Sequence, residues 1–302
     1  MLLRRLDDLQ RRRPVLGFCH AVICKYLDDF GLREAALITY YGFLSLFPIL
    51  LLGVAVVSRV LASRPELRQE LVAAIVPPGL QPGIEASMAD LSTSRTALIA
   101  GAAGLVFSGL GVVLSAYETL NHLAAVPIRR RAGVVSRYLR AVAGLIVILI
   151  GAVAAGALNA ASAGAVPELA GEVAVVFLTL IALTRLLLMR RAPLRSVWPA
   201  AAIGAVAVTT ALAVAAAVLP GLVQRAGRVY GAFAGAAGVF TVLYLLSNAL
   251  VIAAEVAAVR HARLWPRALD PARPTEADAR AMTLLAREQE RLPAARIDYE
   301  LG

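Results

Sequence analysis

Two stripes of polar side chains run through the most apolar stretches of this sequence. In ALITYYGFLSLFPILLLGVAVV (residues 36–57) the residues Tyr41, Ser45 and Pro48 fall within about a 60° arc of a helix advancing roughly 100° per residue, and Glu34 joins them. Pro48 supplies no amide hydrogen to the carbonyl of Leu44 and kinks the helix, leaving an acceptor that protein or water must satisfy. Near the other end of the chain Thr241, Tyr244, Asn248 and Glu255 share a similar arc, and Glu255 is surrounded by Val, Ile and Ala. A carboxylate at that depth costs on the order of 3 kcal/mol or more unless it faces protein or water, which marks it as a functional candidate. Tyr117, Glu118 and Asn121 close a third apolar stretch, and Arg129, Arg130 and Arg131 follow closely. Phenols, amides, carboxylates and guanidinium groups in this order can hydrogen-bond a polar headgroup, hold an anionic one, or pass a proton. The same residues can equally form a structural hydrogen-bond and salt-bridge cluster in which Glu118 or Glu255 neutralises an arginine. Both readings stand at this level.

Other chemistry finds no constellation. A metal-dependent hydrolase needs clustered His, Asp and Glu ligands that activate water. His20, His122 and His261 are isolated, so no metal or other cofactor is expected. Cys19 and Cys24 do not form a C-x-x-C and read as small buried hydrophobes in a reducing compartment. The glycines of GAFAGAAG (residues 231–238) follow no strand and precede no G-K-[ST], so they are no phosphate loop. Gly231 and Gly235 instead suit close helix packing, which permits a homo-oligomer but can be used within one chain. An enzyme is not expected.

The elements that must position the stripes are membrane spans. The chain is 60% hydrophobic and only 17% charged, with a mean hydropathy of +0.75, well outside the range of soluble domains. Its apolar residues gather in runs of about 20, the length that crosses the hydrocarbon as helix. Six spans are expected, near 37–59, 97–117, 139–161, 172–189, 197–219 and 231–259. The fold class is therefore all-α, a polytopic membrane helical bundle, since no period-2 alternation supports a barrel. Of the thirty basic residues, 24 fall in the terminal segments and the second and fourth connections, and six in the others. By the positive-inside rule both termini are cytoplasmic. That rule also accounts for the net charge of +10 without any nucleic acid.

Three regions follow: residues 1–33, 34–262 and 263–302. In the first, Val15, Phe18, Cys19, Val22, Ile23, Tyr26 and Phe30 recur at helical spacing opposite His20, Lys25 and Asp28, which predicts an amphipathic interfacial helix. Gly31 then allows a turn into the membrane domain. No cleaved signal peptide is expected, because the start lacks an apolar core region. In the longest connection, two short helices separated by PPGLQPG (residues 77–83) are expected to cap the outer face. Beyond Trp265 the composition is that of a cytoplasmic tail, and Thr275 with Asp278 resembles a capping box for a short helix running to about Arg291.

AALITYYGFLSLFPILLL, the LNHL of residues 120–123 followed by RRR, and YGAFAG with LYLLSNALVIAAEV within residues 230–256 together resemble the YihY/BrkB family of bacterial inner-membrane proteins. The resemblance covers roughly residues 15–260. It implies a six-span protein of the cytoplasmic (inner) membrane linked to the envelope, with roles in serum resistance and in lipid or lipopolysaccharide export. It carries no catalytic residues. Members have been labelled ribonuclease BN, a label the isolated histidines do not support.

The expected function is a transporter or translocator in envelope lipid handling. In it a cytoplasm-facing polar cavity is lined by Glu34, Tyr41, Ser45, Pro48, Tyr117, Glu118, Asn121, Thr241, Tyr244, Asn248 and Glu255. Arg129, Arg130 and Arg131 form a rim for anionic headgroups. Its partners would be membrane lipids, anionic ones included. The alternative is a non-transporting scaffold that binds envelope protein partners.

Overall fold

The computed structural model describes residues 2–62, 95–161, 165–190, 193–230, 232–270, 272–292, 294 and 296–297. Among these the protein is all-helical, without a strand. The α-helices are α1 (Leu2–Arg12), α2 (Pro14–Asp28), α3 (Gly31–Ala62), α4 (Arg95–Leu123), α5 (Val134–Ala161), α6 (Ala165–Leu187), α7 (Leu194–Tyr230), α8 (Ala232–Ala262) and α9 (Glu276–Glu288), with a 3-10 turn at Ile128–Arg130. Helices are what so apolar a chain must form, because they satisfy every main-chain donor and acceptor internally.

Five helices, α4 to α8, are long and apolar enough to cross a membrane among the described residues. The first of the six expected spans coincides with α3, whose residues from 52 onward lie outside the described side chains. The two outer helices expected within 62–96 also lie outside the described residues. Each observed helix overruns its expected span at one end or both, although α6 stops at Leu187, before the expected residue 189. Hydropathy marks only the lipid-facing stretch, and the α-helix continues into polar turns beyond it.

The chain divides into two compact units, Met1–Thr39 with Val113–Gly302, and Tyr40–Val112. In the first, α5 packs on α6, α6 on α7 and α7 on α8, while α2 lies against α1 and α8. Small residues set these approaches. Gly144 faces Val113, Leu183 and Leu187, and Gly204 faces Leu180 and Ala253. On α5, Val135, Leu139, Val142, Ile146, Leu149 and Val153 are exposed at three- and four-residue spacing, the stripe that lipid would cover. In the second unit the ring of Tyr41 occupies the space a side chain would need at Gly111, and Pro48 packs on Gly104. Ser45 and Ser108 donate to the carbonyls of Tyr41 and Gly104, each at 2.7 Å, so these hydroxyls are satisfied within their own helices.

The amphipathic pattern before α3 resolves into two apolar faces rather than one. Ala21 and Val22 are buried with Val259, Leu264 and Ala281, and Phe18 packs against that cluster. Val15, Ile23 and Phe30 point outward, at 72%, 59% and 61% exposure. Lys25, expected on a solvated side, is buried. The turn into α3 is carried by Phe30, at φ 54°, and not by Gly31. The absent side chain at Gly31 instead admits the ring of Tyr26.

The tail is helical at α9. Thr275 caps it in a reciprocal box with Asp278, and Ala277 and Ala281 bury its apolar face. Phe18 and Trp265 meet edge to face at 5.3 Å beneath it.

Candidate functional site

The polar residues of the larger unit converge where α2, the first turns of α3, the ends of α4 and α8, and the tail meet. At the centre is Lys25 on α2. Its ammonium is paired with Asp29 one turn later and lies 3.2 Å from Glu255 Oε2 on α8. All three side chains are buried. Burial opposes the charge on Lys25, but Glu255 and Asp29 more than offset it and raise its pKa. Burial pushes Asp29 up, against the pull of Lys25. Two carboxylates thus share one ammonium, and Glu255 Oε1 accepts no hydrogen bond from a described residue.

His122, near the end of α4, continues the network. Its Nε2 lies 3.2 Å from the carbonyl oxygen of Asp29, and its Nδ1 lies 2.8 Å from Glu288 Oε1. Oxygen acceptors face both ring nitrogens, so the doubly protonated imidazolium is the form that donates to each. Arg131 donates to the same Glu288 oxygen at 2.5 Å and to Glu118 at 3.0 Å. Arg137 holds the other oxygen of Glu118 at 2.9 Å. Arg129 donates from its main chain to the carbonyl of Glu290 at 3.0 Å. Its guanidinium forks onto Glu290 Oε2, with Nε at 2.9 Å and a terminal nitrogen at 2.8 Å. Arg130 is exposed.

A hydrogen-bonded layer lies alongside. Asn121 donates to the carbonyls of Tyr117 and Leu187 at 2.7 and 3.0 Å and accepts from the amide of Met189 at 2.9 Å. It thereby caps the C-terminal end of α6, where helix carbonyls have no intrahelical donor. Tyr117 accepts from the amide of Ala132 at 2.9 Å. Thr119 donates to Glu34 Oε2 at 2.7 Å. Tyr26 donates to Asn248 Oδ1, whose amide donates to the carbonyl of Tyr244 at 2.8 Å.

Of the residues singled out from the sequence, Glu34, Tyr117, Glu118, Asn121, Tyr244, Asn248, Glu255, Arg129 and Arg131 therefore occur in this unit within hydrogen-bonded or ion-paired contacts. Tyr41, Ser45 and Pro48 belong to the other unit. Thr241 is exposed and donates to the carbonyl of Ala237 at 2.8 Å. Sequence reasoning passed over Lys25, Tyr26, Asp29, His122, Glu288 and Glu290. Lys25 and Asp29 carry the one local signal, an i,i+4 ion pair. Glu288 and Glu290, which meet His122, Arg129 and Arg131, lie in the tail, far along the chain, and no spacing rule reaches them.

A narrow cleft lined by Lys25, Asp28, Asp29, Ala125, Leu264 and Arg267 holds room for about one water molecule. Among the described residues no cluster of three metal-ligating side chains occurs. Cys24 Sγ lies 3.3 Å from His20 Nε2, a pairing that could activate a thiol. Burial, however, pushes the thiol up and His20 down, both away from a thiolate–imidazolium pair. What the arrangement can do is bind charge: two carboxylates around an ammonium, and two guanidinium groups with an imidazole around carboxylates.

A family model described as Virulence factor BrkB matches residues 22–278. The match includes Lys25, His122, Arg129, Arg131 and Glu255 and stops before Glu288 and Glu290. No curated protein and no solved structure matches the chain.

Proposed function

The chain belongs to the BrkB virulence factor family, and on that premise we propose that it translocates envelope lipid across the bacterial cytoplasmic membrane, taking anionic headgroups at its cytoplasmic end. It is a multi-pass membrane protein, with five long apolar helices among its described residues. We read α3 as a sixth span, which leaves both termini on the basic, cytoplasmic side. The exposed Val15, Ile23 and Phe30 of α2 would then lie in the headgroup boundary.

One observation carries the reading. A buried ionic network, Lys25 with Asp29 and Glu255, and an arginine cluster joined to it through His122 and Glu288 lie at the ends of long apolar helices. Ionisable groups in such surroundings are costly, and a path for a charged headgroup is a reason to keep them. Arginine forks suit phosphate oxygens, since they offer two parallel donors at fixed spacing. The reading is not enzymatic: the groups at this end bind and neutralise charge rather than pair a nucleophile with a base.

The test is transbilayer movement of labelled anionic and zwitterionic phospholipids in liposomes holding the purified protein, beside folded R129Q/R131Q and E255Q variants. Faster movement of the anionic lipid by the wild type, lost in R129Q/R131Q, is the expected result. No movement of either lipid would instead favour a scaffold that binds envelope partners. One observation already leans that way: the cleft beside Lys25, Asp29 and Arg267 admits about one water.

A further inference from the structure

Glu288 and Glu290 are nearly fully buried, at 3% exposure each, although they sit at and just beyond the end of the charged helix α9. The cations that hold them are more accessible. The side chains of Arg131, His122 and Arg129 retain 16%, 21% and 21% exposure. The carboxylates are therefore more enclosed than the cations around them. Arg131 and His122 converge on one oxygen of Glu288, and two guanidinium contacts of Arg129 fall on one oxygen of Glu290. Several N–H donors aimed at oxygens on neighbouring carboxylates are the donor set a phosphate group takes.

We propose that His122, Arg129 and Arg131 form a phosphate-recognising site which the protein's own Glu288 and Glu290 occupy, so that a phosphate-bearing ligand and the tail compete for it. The inference rests on the reading of this arginine cluster as a headgroup site and adds the tail as its resident competitor. The displacement is local. Upstream, α9 stays anchored by Arg267, which pairs with Asp278 at 2.7 Å and Asp28 at 2.9 Å, and by Ala281 and Leu284 in the apolar cluster with Val22 and Val259. Among the described residues downstream, Leu292 and Ile297 are exposed at 68% and 38%, and the Ile297 amide, which donates to Glu290 Oε1 at 3.2 Å, would move with Glu290. When Glu288 leaves, Glu118 still positions Arg131 through its other nitrogen at 3.0 Å, and the Asp29 carbonyl still orients His122. The site keeps its shape for the incoming anion.

The experiment is amide hydrogen exchange at residues 284–292 of the full-length protein in three nanodisc conditions. These are phosphatidylcholine alone, phosphatidylcholine with phosphatidic acid, and phosphatidylcholine with added inorganic phosphate. The expected result is exchange faster by roughly tenfold with phosphatidic acid, the size of a typical coupling between competing ligands. E288Q/E290Q should exchange fast already in phosphatidylcholine. R129K/R131K, which keeps the charge and loses the forks, should blunt the lipid response and also guards against a variant that fails to fold. A response to inorganic phosphate equal to that of phosphatidic acid supports the site and assigns it to a soluble anion. Exchange that neither phosphate source changes, or a lipid response undiminished in R129K/R131K, overturns the proposal. So does slow exchange in E288Q/E290Q. Lipid movement that persists with an unresponsive tail would sink this inference alone, and a responsive tail without lipid movement would sink only the transport reading.

Discussion

Lys25 Nζ lies 3.2 Å from Glu255 Oε2, tying the short helix α2 to the last long helix α8 through two buried side chains. Asp29 holds the same ammonium from the other side, and that asymmetry predicts unequal consequences for the two partners. Lys25→Met strands two buried carboxylates and should cost about 3–5 kcal/mol, as removal of one member of a buried pair does. Glu255→Gln leaves Lys25 paired with Asp29 and should cost about 1 kcal/mol. Reversible unfolding in bicelles measures both. Equal losses would mean that Glu255, and not the shared ammonium, is the support.

Asn121 is fully buried and serves three main-chain groups, the carbonyls of Tyr117 and Leu187 and the amide of Met189. Asn121→Leu keeps the volume and removes every partner, with a loss of about 1–3 kcal/mol for each group left without water or protein. Asn121→Asp should be at least as damaging, because a carboxylate can still accept from Met189 but meets the two carbonyls with no donor. The carbonyl of Leu186 is held independently by Arg140 at 2.5 Å, so α6 should fray at its end rather than melt. Thermal denaturation of the two variants, with exchange at residues 183–189, separates these outcomes; a stability unchanged in both would show that water replaces the amide.

Five of the six expected spans were legible in the sequence because hydrocarbon imposes one requirement everywhere, an uninterrupted apolar run of fixed length. The capping residues of α9 were legible for a similar reason, since Thr275 and Asp278 interact three residues apart. The polar stripes were legible as faces, through the angular positions of Asn248 and Glu255. One partner was legible as well, since Glu118, expected to neutralise an arginine, pairs with Arg131 at 3.0 Å; the others were not. Glu255 meets Lys25 and Arg131 meets Glu288 across separations that only tertiary packing decides, and a charged tail residue looks the same whether solvated or inserted among arginines. Helical periodicity also merged the two apolar faces of α2, because Phe18 and Val15 repeat with the same period while packing in opposite directions. The sequence marks Gly31 as a turn residue, whereas its missing side chain accommodates Tyr26. Composition marks a glycine but does not say which of its two uses applies.

Tyr41 and Gly111 form a ring-on-glycine contact inside the smaller unit, with ring carbons where the Gly111 side chain would begin. Gly111→Ala should therefore displace the ring and cost about 1–3 kcal/mol through overpacking. Gly42→Ala, where nothing lies within 4 Å of the added methyl, should be neutral or stabilising by up to about 1 kcal/mol. In a double-mutant cycle, Gly111→Ala added to Tyr41→Ala should cost much less than Gly111→Ala alone. Additive costs would show that the methyl is resisted by something other than the ring. Tyr41→Phe keeps the packing, so its effect on lipid movement isolates the hydroxyl.

Asp278 predicts how the tail anchor responds to acid. Its burial raises its pKa, but the amides of Thr275 and Ala268 and the Arg267 guanidinium, at 2.8, 3.0 and 2.7 Å, outweigh that and lower it. A carboxyl whose native pKa lies below its unfolded value contributes stability above the unfolded value, about 3.9 for Asp, and loses it as the pH falls through the native one. Asp7 behaves alike. Burial raises it, but the amide of Leu269 at 2.9 Å, Gln10 and Arg11 lower it further. The segment 266–278 should thus stay protected from neutral pH down to about 4 and open below that. Hydrogen exchange corrected for its intrinsic pH dependence reads this directly. Asp278→Asn should loosen the segment at neutral pH and retain part of the acid response through Asp7, and Asp7→Asn with Asp278→Asn should abolish it. An acid transition that survives in the double variant would place the sensitive groups elsewhere, with Asp28 on Arg267 the next carboxylate in contact.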